Sequence, residues 1–218
     1  MSAVGVERAP SMVTPVTLEG RWVRLEPLGM WHAAGVLAAA SGSRDTYGFT
    51  LVPGTAAETA AYIEGALAEQ EAGRTLPFAT VDRARDVVVG CTRLFNIEFW
   101  PWPPGNPNQR GAERPDVAEI GWTWLAAAAQ RTPINTEAKL LMLAHAFDHW
   151  RVHRVSLMTD ARNQRSRNAI LRLGARFDGV LRAARPASDG AIRDTAAFSI
   201  LEAEWPAVRA NLEARLTQ

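Results

Sequence analysis

Residues 117–150 read VAEIGWTWLAAAAQRTPINTEAKLLMLAHAFDHW, and three textures follow one another in that run. Val117–Leu125 is rich in β-branched and aromatic residues and has the length of a strand. Residues 140–150 place Leu140, Leu143, Ala144 and Phe147 on one face at helical spacing. The stretch between them, residues 130–139, is small and polar. Thr132 can cap a helix whose first residue is Pro133, where a missing N–H costs nothing. Asn135 and Thr136 offer an alternative cap, with Glu137 adding negative charge near the positive helix end. In either case a strand runs into a helix whose free backbone N–H groups point outward. Such a start accepts a phosphate, and Gln130 and Arg131 add donors at its entrance.

Elements can be read outward from this junction. RWVRLEPLG after Gly20 alternates as a strand; residues 30–40 and 56–70 have helical spacing, and Gly73 supplies a stop. LPFATVDR and DVVVGCTRLFNIEFW form a hairpin. Residues 101–115 hold five prolines and two glycines, which rules out regular structure. With Trp100 and Trp102 at its base, that loop is expected to be an ordered contact surface, over an acceptor site or between subunits. RVSLMTD then reads as a strand, SRNAILRLG as a short helix stopping at Gly174, RFDGVLRAARP and AIRDTAAFSIL as strands around Asp189-Gly190, and EWPAVRANLEARL as a closing helix. The order gives one mixed α/β (α+β) domain over residues 15–218, behind a flexible arm of residues 1–14.

Composition narrows the function. At 218 residues and 47% hydrophobic the chain can bury a sizeable core. The start, MSAVGVERAP, has no basic-then-apolar leader pattern and no run is apolar enough to span a bilayer, so a cytoplasmic protein without membrane partners is expected. Cys91 is the only cysteine, which excludes an internal disulfide or thiolate cluster. The net charge is +1, yet residues 151–193 hold ten arginines against three aspartates, a local +7; that region is built to sit near anions. His145, His149 and His153 have helical spacing, but Asp148 is misplaced for a metalloprotease motif, and no metal is expected.

The C-terminal half carries a more specific pattern: Asn163, Ser166, Leu173-Gly174-Ala175, Asp178-Gly179, Asp189-Gly190 and Glu204-Trp205-Pro206. With these the chain resembles the acyl-CoA N-acyltransferases of the GNAT superfamily, in the RimJ/RimL-type branch that acetylates protein amino termini, including those of ribosomal proteins. It is similar there to an actinobacterial-type group, one member of which is associated with succinyl-CoA. The resemblance implies a mostly antiparallel mixed sheet, helices on both faces, and a V-shaped splay between the two central strands. It makes residues 130–139 the coenzyme A diphosphate loop, whose family pattern is Gln or Arg, two residues, Gly, one residue, Gly or Ala. Gln130 fits, whereas Pro133 and Asn135 replace the small residues, so Arg131, Thr132, Asn135 and Thr136 are expected to assist. Asn163, Ser166, Arg167 and Arg172 join the coenzyme site, and the pantetheine arm is expected along Trp124-Leu125, where a main-chain N–H polarises the thioester carbonyl.

Acyl transfer needs a neutral amine, donors for the oxyanion and an acid for the leaving thiolate. Where many family members carry a tyrosine acid, this chain has Ile170, and Ser166 is the nearest hydroxyl. Glu119 is the best carboxylate for a base. Where the ribosomal-protein branch commonly carries a Glu after the Asp-Gly pair, this chain has Arg182 and Arg185; these would hold the carboxylate of an acyl group such as succinyl. A lysine is about 0.04% free amine at pH 7 and an α-amine about 10%, so an α-amine is the easier acceptor without a strong base. The expected partners are acetyl-CoA or succinyl-CoA and an amine on a protein or small molecule, with exposed tryptophans making a homo-oligomer an option. Two other classes fit the same residues: a non-catalytic coenzyme A-sensing or scaffold domain, and a ribosome-docking protein using the basic region.

Overall fold

The computed structural model describes residues 12–217. Eight strands form one sheet: β1 Leu18–Glu19, β2 Val23–Pro27, β3 Thr75–Asp82, β4 Val87–Glu98, β5 Val117–Leu125, β6 Arg154–Asp160, β7 Arg176–Pro186 and β8 Ile192–Leu201. They lie in the order β1-β2-β3-β4-β5-β6-β8-β7, and every neighbouring pair is antiparallel except β5 and β6. Helices α1 Ala33–Ala40 and α2 Ala56–Glu71 cover one face; α3 Pro133–Ala144, α4 Gln164–Leu173 and α5 Trp205–Leu216 cover the other. This is the mixed, helix-flanked sheet expected from the sequence. Residues 1–11 of the expected arm lie outside the described residues, while Met12 donates its N–H to the Glu113 carbonyl at 2.9 Å and its side chain packs on the core.

The start of α3 follows the first capping option. Thr132 is extended and its hydroxyl oxygen accepts from the Ile134 N–H, with Pro133 as the first helical residue. The buried face differs from the spacing read from residue 140 onward. Leu143 and Phe147 are buried, but Leu140 and Ala144 are only half-buried, and Ile134, Ala138 and Met142 join the core. The seam starts one turn earlier because the helix begins at Pro133, and a wider π-helical turn over His145–Trp150 rotates its end.

Glu137 does not serve the helix end. It is buried, and its carboxylate accepts three backbone N–H groups, from Arg21, Trp22 and Val23, at 2.6–2.8 Å. A carboxylate taking three donors nails the β1–β2 turn to α3. Gly20 has the same constraint behind it, since a Cβ there would lie 2.2 Å from the Glu137 carboxyl carbon. The loop of residues 101–115 is pinned as well. Asp116 accepts from the Trp100 N–H and the Trp102 indole at 2.6 Å each, and Arg110 forms a fork with Glu202. These pins hold it at the start of β5 and β6.

Lys139, the only lysine in the chain, points from α3 into the sheet. It is 5% exposed and donates to the hydroxyls of Thr92 at 3.0 Å and Thr123 at 2.7 Å. No carboxylate among the described residues lies within ion-pair distance, and burial pulls its ammonium down from 10.5 to about 7.

Two outcomes follow for stability. Glu137→Ala should cost about 3 kcal/mol or more in urea unfolding, because three backbone donors lose a charged acceptor; a loss below 1 kcal/mol would show that water replaces it. For Lys139, the unfolded chain holds a proton between pH 7 and 10.5 that the folded protein has released, so stability rises with pH through that window. The stability advantage of Lys139→Met over the parent should therefore be largest at or below pH 7 and shrink toward pH 10. A pH-independent difference would mean that the buried amine keeps its ordinary affinity for protons.

Candidate active site

β5 and β6 pair only from Val117 opposite Arg154 to Ile120 opposite Leu157. β5 continues to Leu125 and β6 to Asp160 without pairing each other, which opens the expected splay at the middle of the sheet. Because the two strands are parallel, both end at the same edge, and each runs on into a helix, β5 into α3 and β6 into α4. Two helix N-termini therefore flank the gap. Asn163 caps α4, its carbonyl oxygen accepting from the Ser166 N–H at 3.0 Å. Paired helix starts at the carboxyl ends of parallel strands make an anion-attracting crevice at a topological switch point.

The other side of the gap is shaped by two bulges. Asn96 in β4 and Trp122 in β5 have left-handed backbones, φ 46° and 53°, where the β4–β5 register slips. The first brings Asn96 Nδ2 to Glu119 Oε2 at 2.8 Å. Glu119 is 5% exposed; burial raises its carboxyl above the usual range, while the Asn96 bond and the Arg185 and Arg193 guanidiniums oppose the shift. Arg185 and Arg193 stand directly opposite on β7 and β8. Like charges in register repel, and among the described residues neither has an ion pair; the buried Nε of Arg193 has no partner at all.

The remaining residues singled out from the sequence fall into several places. Ser166 is half-buried in the first turn of α4, which packs on the sheet face opposite Glu119. Thr132, Asn135 and Thr136 occupy the first turn of α3, and Arg131 stands exposed before it with φ 61°. Gln130 is committed elsewhere: its amide donates to Thr46 Oγ1 at 2.8 Å and to the Leu125 carbonyl at 2.9 Å. Trp124 is buried under α1 and α2, and the Leu125 carbonyl also accepts from Tyr47. Arg167 donates to the Ala161 carbonyl and lies over Phe177, and Arg172 sits in the last turn of α4, at the far end from Asn163. Arg182 lies in an exposed bulge of β7, where the register to β8 breaks between Leu181 and Arg185. His145 and His149 stack on each other, and no group of three metal-ligating side chains occurs among the described residues.

Sequence reasoning missed three features. A hollow of about 570 Å³ beside Thr132 and Pro133 carries Arg21, Arg83 and Arg85, which come from the β1–β2 and β3–β4 turns. A groove of about 700 Å³ between α2, β4 and the end of β7 is lined by Tyr62, Arg93, Asn96, Trp122 and Arg185. The loop between α1 and α2 spans the gap: Thr46 accepts from Arg165 of α4 at 2.6 Å, and Gly48 from Ser188 of the β7–β8 turn at 2.9 Å. Only the +7 charge of residues 151–193 hinted at any of these, through Arg165 and Arg185.

The geometry offers an anion crevice on one face, a buried carboxylate on the other, and an opening between them. Residues 23–176 match the acetyltransferase (GNAT) domain family. No curated protein matches the chain. Among solved structures, a GCN5-related N-acetyltransferase from Brucella melitensis superposes with a TM-score of 0.78 at 31% identity, over 93% of this chain and 86% of its own. Mycobacterium smegmatis RimJ, solved with CoA-disulfide, gives 0.76 at 24% identity over 93% and 96% of the two chains. The microcin C7 self-immunity acetyltransferase MccE, solved with acetyl-CoA and AMP, gives 0.66 at 19% over 84% and 93%. The last two likenesses concern the fold, whereas the family match spans most of the sheet and the splay itself: the chain belongs to the GNAT acetyltransferases.

Proposed function

We propose that the protein moves an acyl group from a coenzyme A thioester to a primary amine, and that the acyl group can be succinyl. The splay flanked by two helix N-termini, with buried Glu119 across it, carries the reading. The diphosphate lies across the start of α3, where Pro133 withholds one donor and Arg131, Thr132, Asn135 and Thr136 compensate. Arg21, Arg83 and Arg85 add positive charge next to the same helix start. That RimJ was solved with CoA-disulfide and MccE with acetyl-CoA supports this donor class.

Glu119 takes a proton from the amine as its nitrogen attacks the thioester carbonyl carbon. The C–N bond forms, the C–S bond breaks, and the thiolate takes a proton through the Ser166 hydroxyl, which regains one from solvent while Glu119 releases the amine's proton to solvent, so that amide and thiol are the products. Asn96 holds the Glu119 carboxyl in place, and burial makes it a stronger base than an exposed glutamate. The opposed Arg185 and Arg193 favour a negative group between them. A succinyl carboxylate supplies one, with Arg182 next to them in the same hairpin.

Two measurements test these roles. Glu119→Gln should lower kcat/KM by about 100-fold or more and abolish the acidic limb of the parent's pH profile, which should lie above the ordinary carboxylate range; an unchanged limb would remove Glu119 from the base role. By calorimetry, succinyl-CoA should bind about tenfold tighter than acetyl-CoA, a gap of roughly 1.4 kcal/mol, and Arg185→Ala should erase the difference. Equal affinities in the parent would leave acetyl as the transferred group.

A further inference from the structure

Arg93 is the least explained charge in the molecule. It is 6% exposed, and among the described residues it has no carboxylate within ion-pair distance. Its guanidinium carbon lies 4.8 Å from the ring centre of Tyr62 on α2 and 4.6 Å from that of Trp122 on β5. Trp122 reaches that position through its left-handed backbone, a conformation that is costly for an aromatic residue and is kept where the surroundings or the function require it. A guanidinium held between two ring faces keeps its N–H groups directed sideways. Burying such a charge unpaired costs several kcal/mol unless an anion meets it. Arg93 Nε, Tyr62 Oη and Trp124 Nε1 are buried together here without a well-formed hydrogen bond among the described residues; the Tyr62 hydroxyl faces both the guanidinium and the indole, and none of these neighbours is a carboxylate.

The 700 Å³ groove is where Arg93, Tyr62 and Trp122 meet solvent. Its acidic lining residues are already engaged: Glu69 pairs with Arg74 at 2.7 Å and Glu98 accepts from the Trp100 indole at 3.3 Å. Arg93 lies opposite Gly121 and Phe95 opposite Glu119, so Arg93 and Glu119 share one face of the sheet, roughly 7 Å apart along the strands. We propose that Arg93 is the anion-binding group of an acceptor subsite, and that the groove takes a small amine bearing a carboxylate a few carbon–carbon bonds away, its amine toward Glu119. The inference rests on the acyl-transfer reading for the amine's fate. It goes beyond it in naming the acceptor as amino-acid-like rather than a protein amino terminus, because a guanidinium this deeply buried is reached by the end of a small molecule.

The test is calorimetric binding of γ-aminobutyrate, glutamate and n-butylamine to the parent, Arg93→Lys and Arg93→Met, with acetyl-CoA and succinyl-CoA binding measured on the same samples. The carboxylated amines should bind the parent at least tenfold tighter than butylamine. Arg93→Met should lose that preference and Arg93→Lys part of it, while acetyl-CoA affinity stays unchanged. Butylamine binding as well as γ-aminobutyrate, or no binding of either carboxylated amine, overturns the subsite and leaves the acyltransferase reading standing. A loss confined to succinyl-CoA assigns Arg93 to the donor and also overturns it. Tight γ-aminobutyrate binding without any acetyl-CoA binding upholds the subsite and sinks the acyltransferase reading instead. Should Arg93→Met fail to fold, the parent's ligand series and Arg93→Lys still decide.

Discussion

Four register pairs hold β5 to β6, and then the strands part. The sheet is otherwise continuous from β1 to β7, so this is the place where backbone groups in its middle remain open to a ligand. Parallel pairing is what makes the opening useful, since it sends both strands toward the same edge and sets two helix starts side by side. Glu119 lies within the paired stretch, opposite Ser156, which fixes its backbone just before the opening begins. Longer pairing would close the crevice, and shorter pairing would leave the carboxylate on an unsupported edge.

Arginine serves two purposes on the far half of the sheet. Arg162 binds Asp160 through two nitrogens and Asp189 through a third, tying the end of β6 to the β7–β8 turn. Arg165 holds the loop between α1 and α2, Arg167 a carbonyl, and Arg176 the Glu204 carboxylate. These are framework contacts, drawn from the same basic segment that the sequence marks as anion-seeking. Among the described residues, the guanidiniums without an ion pair include Arg185 and Arg193, which face each other, and the buried Arg93 on β4, which lies far outside that segment. Charge density along the chain thus marks a segment in which framework pins are mixed with arginines that have no ion pair.

What could be read from sequence was local. Strand and helix patterns, the Thr132–Pro133 cap and the Gly174 stop depend on neighbours within one or two turns, and each appears in the fold. The family's residue pattern extended this to the splay. Glu137 shows the limit: near a helix start it reads as a dipole partner, but the N–H groups that donate to its carboxylate lie more than 110 residues away. Gln130 is similar, matching a loop pattern while its amide secures Thr46 from another loop. Arg93 had no visible signal, because its meaning comes from a ring on α2 and from a bulge, and a bulge is a backbone event that alternation alone does not announce.

Trp122 draws these threads together in a different currency. With φ 53° its backbone would be more comfortable as glycine, and with 42% of its surface exposed its ring contributes less to the core than a fully buried indole. A glycine there would relax the strand and at the same time strip one wall from Arg93. On the acceptor subsite proposed above, selection for a sturdier fold and selection for a defined acceptor would pull this single residue in opposite directions. The position is one where a more stable protein would be a less discriminating one.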